Sequence, residues 1–130
     1  DKIYTATEGW YMWEYNAVDH PTAEVPFRSG SFPVQNGYAP EWAVVNYTMF
    51  RLSGNTFLTV RNEYFNDKVG SRTGFATDYS EHSIGITWWP DKIITIRPEL
   101  RFDHSYADRA YDNGTRHNQL VFTTDVIFHF

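Results

Sequence analysis

The chain of 130 residues contains no cysteine, so no thiol is available as a nucleophile or a metal ligand. Long apolar runs are also missing. A transmembrane helix needs about 18 or more consecutive apolar residues, and every uninterrupted run here is far shorter. The net charge of −5 argues against binding to nucleic acid or another polyanion. Composition therefore excludes a helical membrane protein and disfavours a nucleic-acid partner.

Catalytic and metal-binding patterns are weak as well. Adjacent residues of a strand point to opposite faces, so Glu81 and His82 cannot act together. We predict no catalytic residue, no metal site and no cofactor, and expect a protein that is not an enzyme. Four loop aspartates offer a divalent cation site as a less favoured alternative to solvated carboxylates: Asp67, Asp78, Asp108 and Asp112. The five histidines lack the spacing of a zinc site: His20, His82, His104, His117 and His129.

What the chain does contain is aromatic residues, 18% of the total, together with a negative mean hydropathy of −0.52. A membrane barrel needs apolar residues only at alternate strand positions, so its mean hydropathy stays low. The last thirteen residues follow that pattern and end in an aromatic residue, Phe130. This segment is typical of the closing strand of an outer-membrane β-barrel. Its mostly apolar face carries Leu120, Phe122, Thr124, Val126, Phe128 and Phe130.

Six strands and no helix are predicted, and the connections alternate in length. Outer-membrane barrels have short turns on one side and long loops on the other. The sequence therefore predicts an all-β, antiparallel, up-and-down transmembrane β-barrel, with residues 1–130 forming the C-terminal portion of a single barrel domain. The predicted strands span about 2–15, 41–52, 56–66, 80–89, 93–104 and 118–130, and the long external loops span 16–40, 67–79 and 105–117.

The two faces of the predicted strands differ in chemistry. A row of alternating charges buried in a dry core would cost several kcal/mol per uncompensated ion, so the charged face must meet water or opposite charge. A solvated surface of a soluble sheet is the alternative. Trp88 and Trp89, at a short turn, favour the membrane. We predict as pore-lining Arg61, Glu63, Glu81, Arg97, Glu99, Arg101, Asp103 and Asp125, and as lipid-facing Val60, Ile94, Ile96, Leu100, Phe102, Phe122, Val126 and Phe128.

Turn lengths predict the register, because paired residues point to the same face. A two-residue Gly54-Asn55 hairpin pairs Met49 with Val60. It places Val45, Tyr47 and Met49 outward, and Asn46 and Thr48 inward. A three-residue turn at 90–92 gives three further predicted pairs: Gly85 with Arg97, Ser83 with Glu99, and Glu81 with Arg101.

Several motifs resemble one known family. The segments Arg61-Asn62-Glu63-Tyr64-Phe65-Asn66-Asp67, Arg72-Thr73-Gly74-Phe75, Tyr79-Ser80-Glu81-His82, Ile96-Arg97-Pro98-Glu99-Leu100-Arg101 and Ala110-Tyr111-Asp112-Asn113-Gly114 are similar to the C-terminal part of the OmpL-like β-barrel porins. The similarity runs from about residue 41 onward and includes residues 4–14. Six strands cannot close a barrel, since the smallest single-chain examples have about eight. We therefore expect the C-terminal part of a larger barrel, or several chains completing one.

The resemblance implies a porin-like channel of the Gram-negative outer membrane, for passive diffusion of small hydrophilic solutes or ions. A structural or partner-binding barrel without an open pore is the alternative. Expected partners are membrane lipid, the barrel-assembly machinery through the C-terminal strand ending in Phe130, and, as a further candidate, other barrel subunits. Because the chain opens directly in a strand pattern with no signal peptide, we expect a mature form or a fragment.

Overall fold

A computed structural model describes residues 2–15 and 38–130. Alternating apolar and polar residues, with aromatic and β-branched side chains throughout, favour extended structure over helix. No helix in the described residues is long and apolar enough to cross a membrane. The strands are β1 (Ile3–Tyr15), β2 (Tyr38–Arg51), β3 (Thr56–Asp67), β4 (Thr77–Asp91), β5 (Ile94–Ser105) and β6 (Asn118–Phe128).

All six strands form one antiparallel sheet in the order of the chain, so each strand pairs with its neighbours in sequence. The predicted all-β, up-and-down topology is confirmed. Long connections after β3 and β5 lie on one side of the sheet, called here the loop side, and short connections after β2 and β4 lie on the turn side. Among the described residues β1 and β6 do not pair, so the sheet is open, as expected for part of a barrel.

Strand bounds differ modestly from the prediction. β2 begins at Tyr38 and β4 spans Thr77–Asp91, so both extend further toward the loop side than expected. Most of the predicted 16–40 loop lies outside the described residues. The loop after β5 turns at Asp112 and Asn113, whose φ angles of 53° and 55° lie in the left-handed region, followed by Gly114 at 81°. This Asp-Asn-Gly sequence forms a turn because short polar residues and glycine tolerate that conformation.

The register between β2 and β3 corrects one prediction. Tyr47 lies opposite Arg61 and Thr48 opposite Val60, one residue away from the predicted pairing. A three-residue loop of Ser53, Gly54 and Asn55 replaces the two-residue hairpin, with Leu52 N donating to Thr56 O at 3.0 Å. A shift of one residue reverses both faces of a strand. The predicted faces of β2 were therefore wrong: Val45, Tyr47 and Met49 share the face of Arg61, called here the inner face, and Asn46 and Thr48 lie on the opposite face, called the outer face.

The register between β4 and β5 is corrected as well, without a change of face. The strands continue closer to the turn than predicted and reverse at 92–93, and a bulge interrupts the pairing between Trp88 and Asp91. These changes shift the ladder by two residues, which preserves the side each residue faces. The observed partners are Gly85 with Glu99, Ser83 with Arg101 and Glu81 with Asp103, and not the predicted Arg97, Glu99 and Arg101.

Candidate functional site

The charged residues of the inner face form two groups. The first, called the loop-side network, consists of Arg61, Glu63, Glu81, Arg101 and Asp103. Arg61 forms ion pairs with both Glu63 and Glu81. Arg101 Nε lies 3.7 Å from Glu81 and 3.2 Å from Asp103. Since Arg61 is on β3, Glu81 on β4 and Arg101 on β5, the network links three strands across the inner face.

The network is only partly accessible to water. The side chain of Asp103 is 7% exposed and those of Glu81 and Arg61 are 19% and 25% exposed. Glu63 and Glu81 are direct cross-strand partners, and like charges at such positions repel. Arg61 contacts both carboxylates, so its guanidinium group offsets that repulsion.

The second group, called the turn-side pair, consists of Arg97 and Asp125, which lie opposite each other on β5 and β6. Arg97 Nε lies 3.0 Å from Asp125 Oδ1, and its Nη2 lies 2.5 Å from Oδ2. Both side chains are 49% exposed, so water screens this bidentate pair far more than the loop-side network.

Glu99 lies between the two groups, opposite Gly85 on β4, and its side chain occupies space that a larger residue at position 85 would fill. A Cβ added to Gly85 would lie 3.2 Å from Pro98 O and 3.5 Å from Glu99 Cβ. The missing side chain therefore leaves the space along which the Glu99 side chain extends from β5. This agrees with the small size of Ser83 and Gly85, which lets charged residues of flanking strands cover β4.

A buried anchor, which sequence reasoning missed, holds the loop after β3. It consists of Glu41, Asp67, Arg72 and Thr73. Asp67 and Glu41 are fully buried, face each other across β2 and β3, and each retain one carboxylate oxygen without a hydrogen bond. Arg72 Nε donates to Glu41 Oε1 at 2.8 Å. Asp67 Oδ2 accepts from Arg72 N at 3.1 Å and from Thr73 N at 2.8 Å.

This anchor fixes the loop over the inner face. Arg72 also lies 3.5 Å from Glu14 on β1, so it ties the loop to two strands beyond its own. Its hydrogen bond to Glu41 is the largest cause of a raised Arg72 pKa, and the side chain therefore stays charged. One indication of this anchor was present in the sequence: on one face of β2, Glu41 is a lone charged residue among small apolar neighbours.

A cavity of about 340 Å³ lies between the loop-side network and the two described loops. Phe65 and Tyr79 stack along its wall with ring centroids 5.9 Å apart, and Tyr111 meets Tyr79 edge-on at 6.4 Å. Burial raises the pKa of Tyr111 to about 12, so this phenol keeps its proton at neutral pH. Charged and aromatic side chains share the lining, which includes Glu63, Phe65, Tyr79, Glu81, Arg101 and Tyr111.

The outer face over β5 and β6 is apolar. Leu100 pairs with Phe122, Ile96 with Val126 and Ile94 with Phe128. Leu100, Phe122 and Phe128 are exposed, at 44%, 70% and 57%. All eight residues predicted to face lipid share this outer face, and all eight predicted to line a pore share the inner one. The pore-lining and lipid-facing roles themselves remain predictions.

Aromatic residues of the outer face gather at both ends of the strands. The ring centroids of Trp42 and Tyr64 lie 5.3 Å apart near the loop side, with the planes tilted by 32°, and Tyr64 lies 6.2 Å from Tyr106. Trp88 lies at the turn side, 42% exposed. Such bands at two levels are typical of a membrane barrel, where aromatic rings sit at the lipid–water interfaces.

Within residues 2–15 and 38–130, no group of three or more histidine, aspartate or glutamate residues could hold a metal ion. Three of the four loop aspartates named as the less favoured cation site have other partners. Asp67 accepts the hydrogen bonds of the anchor, Asp78 accepts one from Asn66, and Asp112 forms an ion pair with Arg116 at 3.3 Å.

The chain was compared with models of protein families, with curated proteins and with solved structures. The model of the family described as "Putative beta-barrel porin-2, OmpL-like" matches residues 3–130. No curated protein and no solved structure matches the chain.

Proposed function

This chain belongs to the OmpL-like β-barrel porin family, and we propose that it forms part of the wall of an outer-membrane channel. The channel admits small hydrophilic solutes or ions by passive diffusion in Gram-negative bacteria. The inner face lines the aqueous lumen and the outer face over β5 and β6 contacts lipid. The protein has no catalytic role in this proposal.

The contrast between the two faces of β5 supports the proposal most directly. Arg97, Glu99 and Arg101 alternate with Pro98 and Leu100 along this strand, and the charged residues face inward. A charged side chain on the outer face would cost free energy in hydrocarbon, and a row of charged side chains on the inner face would cost free energy in a dry interior. A sheet with lipid on one side and water on the other satisfies both faces at once.

The charges of the inner face suit an aqueous lumen. Arg97 and Asp125 pair on β5 and β6, at the open edge of the described sheet, where both side chains are 49% exposed. Fixed charges in a narrow channel influence ion preference because low-dielectric walls focus the field. The loop-side network carries three carboxylates and two guanidinium groups, so the proposed lumen is mildly cation-attracting at that level.

The anchored loop is proposed to narrow the channel near the loop side. Arg72 contacts Glu41 on β2 and Glu14 on β1, so the loop after β3 crosses the inner face. A loop held by buried charges reduces the cross-section without moving during conduction. The cavity between this loop and the loop-side network is then a section of the solute path.

Assembly into the membrane is proposed to proceed through the C-terminal strand. β6 is an edge strand in the described sheet and is followed by Phe130. An edge offers unpaired backbone donors and acceptors, which is what a barrel-assembly factor needs in order to recognise a strand.

Conductance tests the proposal. The full-length protein, purified and added to planar lipid bilayers, should give stepwise ion currents. Since the chain has no cysteine, single cysteines can then be placed at neighbouring inner and outer positions. Glu99→Cys should show reduced current after reaction with a charged thiol reagent, because the added group enters the lumen. The matched control is Leu100→Cys, whose added group would lie outside the channel.

Two results would contradict the channel. Absence of current steps at any voltage, from protein that migrates as a folded barrel, would favour a structural or partner-binding barrel instead. Equal effects of the reagent at Glu99→Cys and Leu100→Cys would show that the proposed lumen side is wrong.

A further inference from the structure

The outer face carries a patch that does not match a lipid-facing wall. Four polar residues on four successive strands are direct neighbours: Thr7 pairs with Asn46, Asn46 with Asn62, and Asn62 with His82. Thr5 and Thr48 form a second pair next to this row. We call the six residues the outer polar patch: Thr5, Thr7, Asn46, Thr48, Asn62 and His82.

Hydrogen bonds join the members of the patch. The Asn46 amide nitrogen donates to the hydroxyl oxygens of Thr7 at 2.9 Å and Thr5 at 3.1 Å. The Thr48 hydroxyl group donates to the side-chain oxygen of Asn46, Oδ1, at 3.2 Å. The Asn62 oxygen lies 2.8 Å from His82 Nδ1. The side chains are thus ordered on a surface that is open in this sheet.

Some polar groups of the outer polar patch have no hydrogen-bond partner in the described sheet. The amide nitrogen of Asn62 and Nε2 of His82 hold no hydrogen bond within the described part of the chain. Asn62, His82, Thr5 and Thr7 are exposed. The hydroxyl groups of Thr5 and Thr7 accept from Asn46 but donate no hydrogen bond within the described residues. Hydrocarbon would offer these hydroxyl groups no partner, and polar groups left unpaired there are strongly disfavoured.

On β1 and β2, the patch lies midway between the two ends of the apolar band. On β2, Asn46 is four residues from Trp42 and four from Phe50; on β1, Thr7 is four from Tyr11 and four from Ile3. Four residues of a strand span about 13 Å, or about 10 Å of depth for a strand tilted by 35–45°. Resting on the proposed membrane channel, the part of the patch on β1 and β2 is near the middle of the bilayer. Asn62 and His82 lie nearer the loop side, because Tyr64 and Ser80 follow them two residues further along the outer face.

Within this row, polar residues are confined to one part of the sheet. The row continues through Phe102 on β5 to Leu120 on β6, both exposed and apolar. The outer face of β5 and β6 carries one polar residue, Thr124, between the Ile94–Phe128 and Phe102–Leu120 pairs. On β1 and β2, by contrast, apolar residues lie on both sides of the patch, so strand tilt does not account for the polarity there.

We propose that the outer polar patch is the contact surface for a second copy of the same barrel. Water-soluble partners do not reach mid-bilayer depth, and lipid chains supply no hydrogen bonds. The patch is free of acidic and basic groups other than one imidazole and presents both donors and acceptors. It can therefore pair with itself across a two-fold axis, as an isologous interface requires. Interhelical amides play the corresponding role in helical membrane proteins.

Gly9 gives the second copy room to approach. It follows the patch on β1 and faces outward, opposite Val44. A Cβ built there would meet Val44 Cγ2 at 3.7 Å, an ordinary contact, and its φ is not in the left-handed region. A larger side chain is therefore compatible with the single barrel but would project between two barrels.

Cysteine crosslinking of the full-length protein in its native membrane tests the proposal. Thr7→Cys and Asn46→Cys, each in the cysteine-free chain, should form a disulfide-linked dimer on mild oxidation. Leu120→Cys, in the same row on the outer face of β6, should remain monomeric. Adding Gly9→Trp to Asn46→Cys should reduce the dimer band while the heat-modifiable gel mobility of the folded barrel is retained.

The outcomes separate this proposal from the channel itself. Dimers without current steps would overturn the channel and support the interface. Current steps with only monomer from both patch variants would overturn the interface. Equal dimer formation by Leu120→Cys would mean random collision, and an adduct of another mass would mean a different partner; either result overturns contact with a second copy.

Discussion

The inner face uses the same pairing of guanidinium and carboxylate groups in two different ways. In the turn-side pair, Arg97 and Asp125 meet alone, half exposed, in a bidentate contact. In the loop-side network, Arg61 and Arg101 share Glu81 and are less exposed. The two lie on the same face of one sheet, so the difference arises from burial and from the number of partners.

Burial changes how much each ion pair contributes to the free energy of unfolding. An exposed ion pair contributes about 0–1 kcal/mol, because water screens it and long side chains lose freedom. Removing one member of a buried set costs more, since the remaining charges stay desolvated and unpaired. The loop-side network should therefore govern stability, and the turn-side pair should govern how passing ions are sorted.

The largest expected effect is on the loop-side network. Arg61→Leu should lower the free energy of unfolding by about 2–4 kcal/mol, less than for a fully buried ion, because Glu63 and Glu81 would face each other without a cation. Urea unfolding in lipid vesicles, followed by tryptophan fluorescence, measures this. Arg97→Leu is the matched control and should cost less than about 1 kcal/mol. Equal costs would erase the distinction between the two groups.

A second substitution sharpens the same comparison. Adding Glu63→Gln to Arg61→Leu should restore about 1 kcal/mol or more, because the repulsion between two carboxylates is removed. The same Glu63→Gln change alone should not stabilise the wild-type protein, where Arg61 already contacts Glu63. Simple additivity of the two single effects would show that these residues are not coupled.

The buried anchor should behave like the loop-side network. Arg72→Ala leaves the fully buried Glu41 without its cation and should cost about 1–3 kcal/mol in the urea experiment. Releasing the loop should also raise single-channel conductance. Arg72→Lys keeps the charge but loses the fork of donors, so it should fall between the wild type and Arg72→Ala. Unchanged conductance in folded Arg72→Ala would mean that the loop does not narrow the path.

Ion preference tests the exposed half of the comparison. Arg97→Glu should move the reversal potential in a salt gradient toward that of cations. The shift should shrink at molar salt, where the screening length is about 3 Å. Asp125→Asn should give a smaller shift in the opposite direction, because it leaves Arg97 unneutralised. No shift at low salt would place these charges away from the conduction path.

The smallest expected effect concerns the loop after β5. Burial raises the pKa of Tyr111 from 10.0 to about 12. Between these values the folded protein keeps a proton that the unfolded chain releases, so Tyr111 lowers stability progressively as pH rises from 10 to 12. Alkaline titration of phenol absorbance, with Tyr111→Phe as the comparison, measures this. If Tyr111→Phe removed a phenol that titrates near pH 10, Tyr111 would have an ordinary pKa and would not be buried.

Sequence reasoning succeeded where the two faces of a strand differ strongly. On β5, the contrast between Arg97 or Glu99 and Ile96 or Leu100 determines the faces without any knowledge of the turns. On β2 both faces carry apolar residues, so their assignment depended on the length of the loop after it. Side-chain contacts decide that length: Asn55 Oδ1 accepts from Ser53 Oγ at 2.8 Å, and Asn55 Nδ2 donates to Trp89 O at 3.1 Å.

The anchor and the outer polar patch were beyond sequence reasoning for the same reason. Glu41 and Arg72 meet across 31 positions of the chain, and no local pattern reports that contact. Asn46 was predicted to face inward because a two-residue Gly54-Asn55 hairpin was expected, and the resulting one-residue register error hid its neighbours Thr7 and Asn62. Pairing between strands, rather than composition, brings these residues together.

The position of Arg61 between Glu63 and Glu81 restricts how the family can diverge. A homologue that replaces Arg61 by a neutral residue inherits two facing carboxylates, a combination that selection should remove. Arg61 should therefore be lost only in lineages where Glu63 or Glu81 has already become neutral. The order of substitution is then constrained, and these three positions should vary together among family members, whereas Arg97 and Asp125 should change more independently.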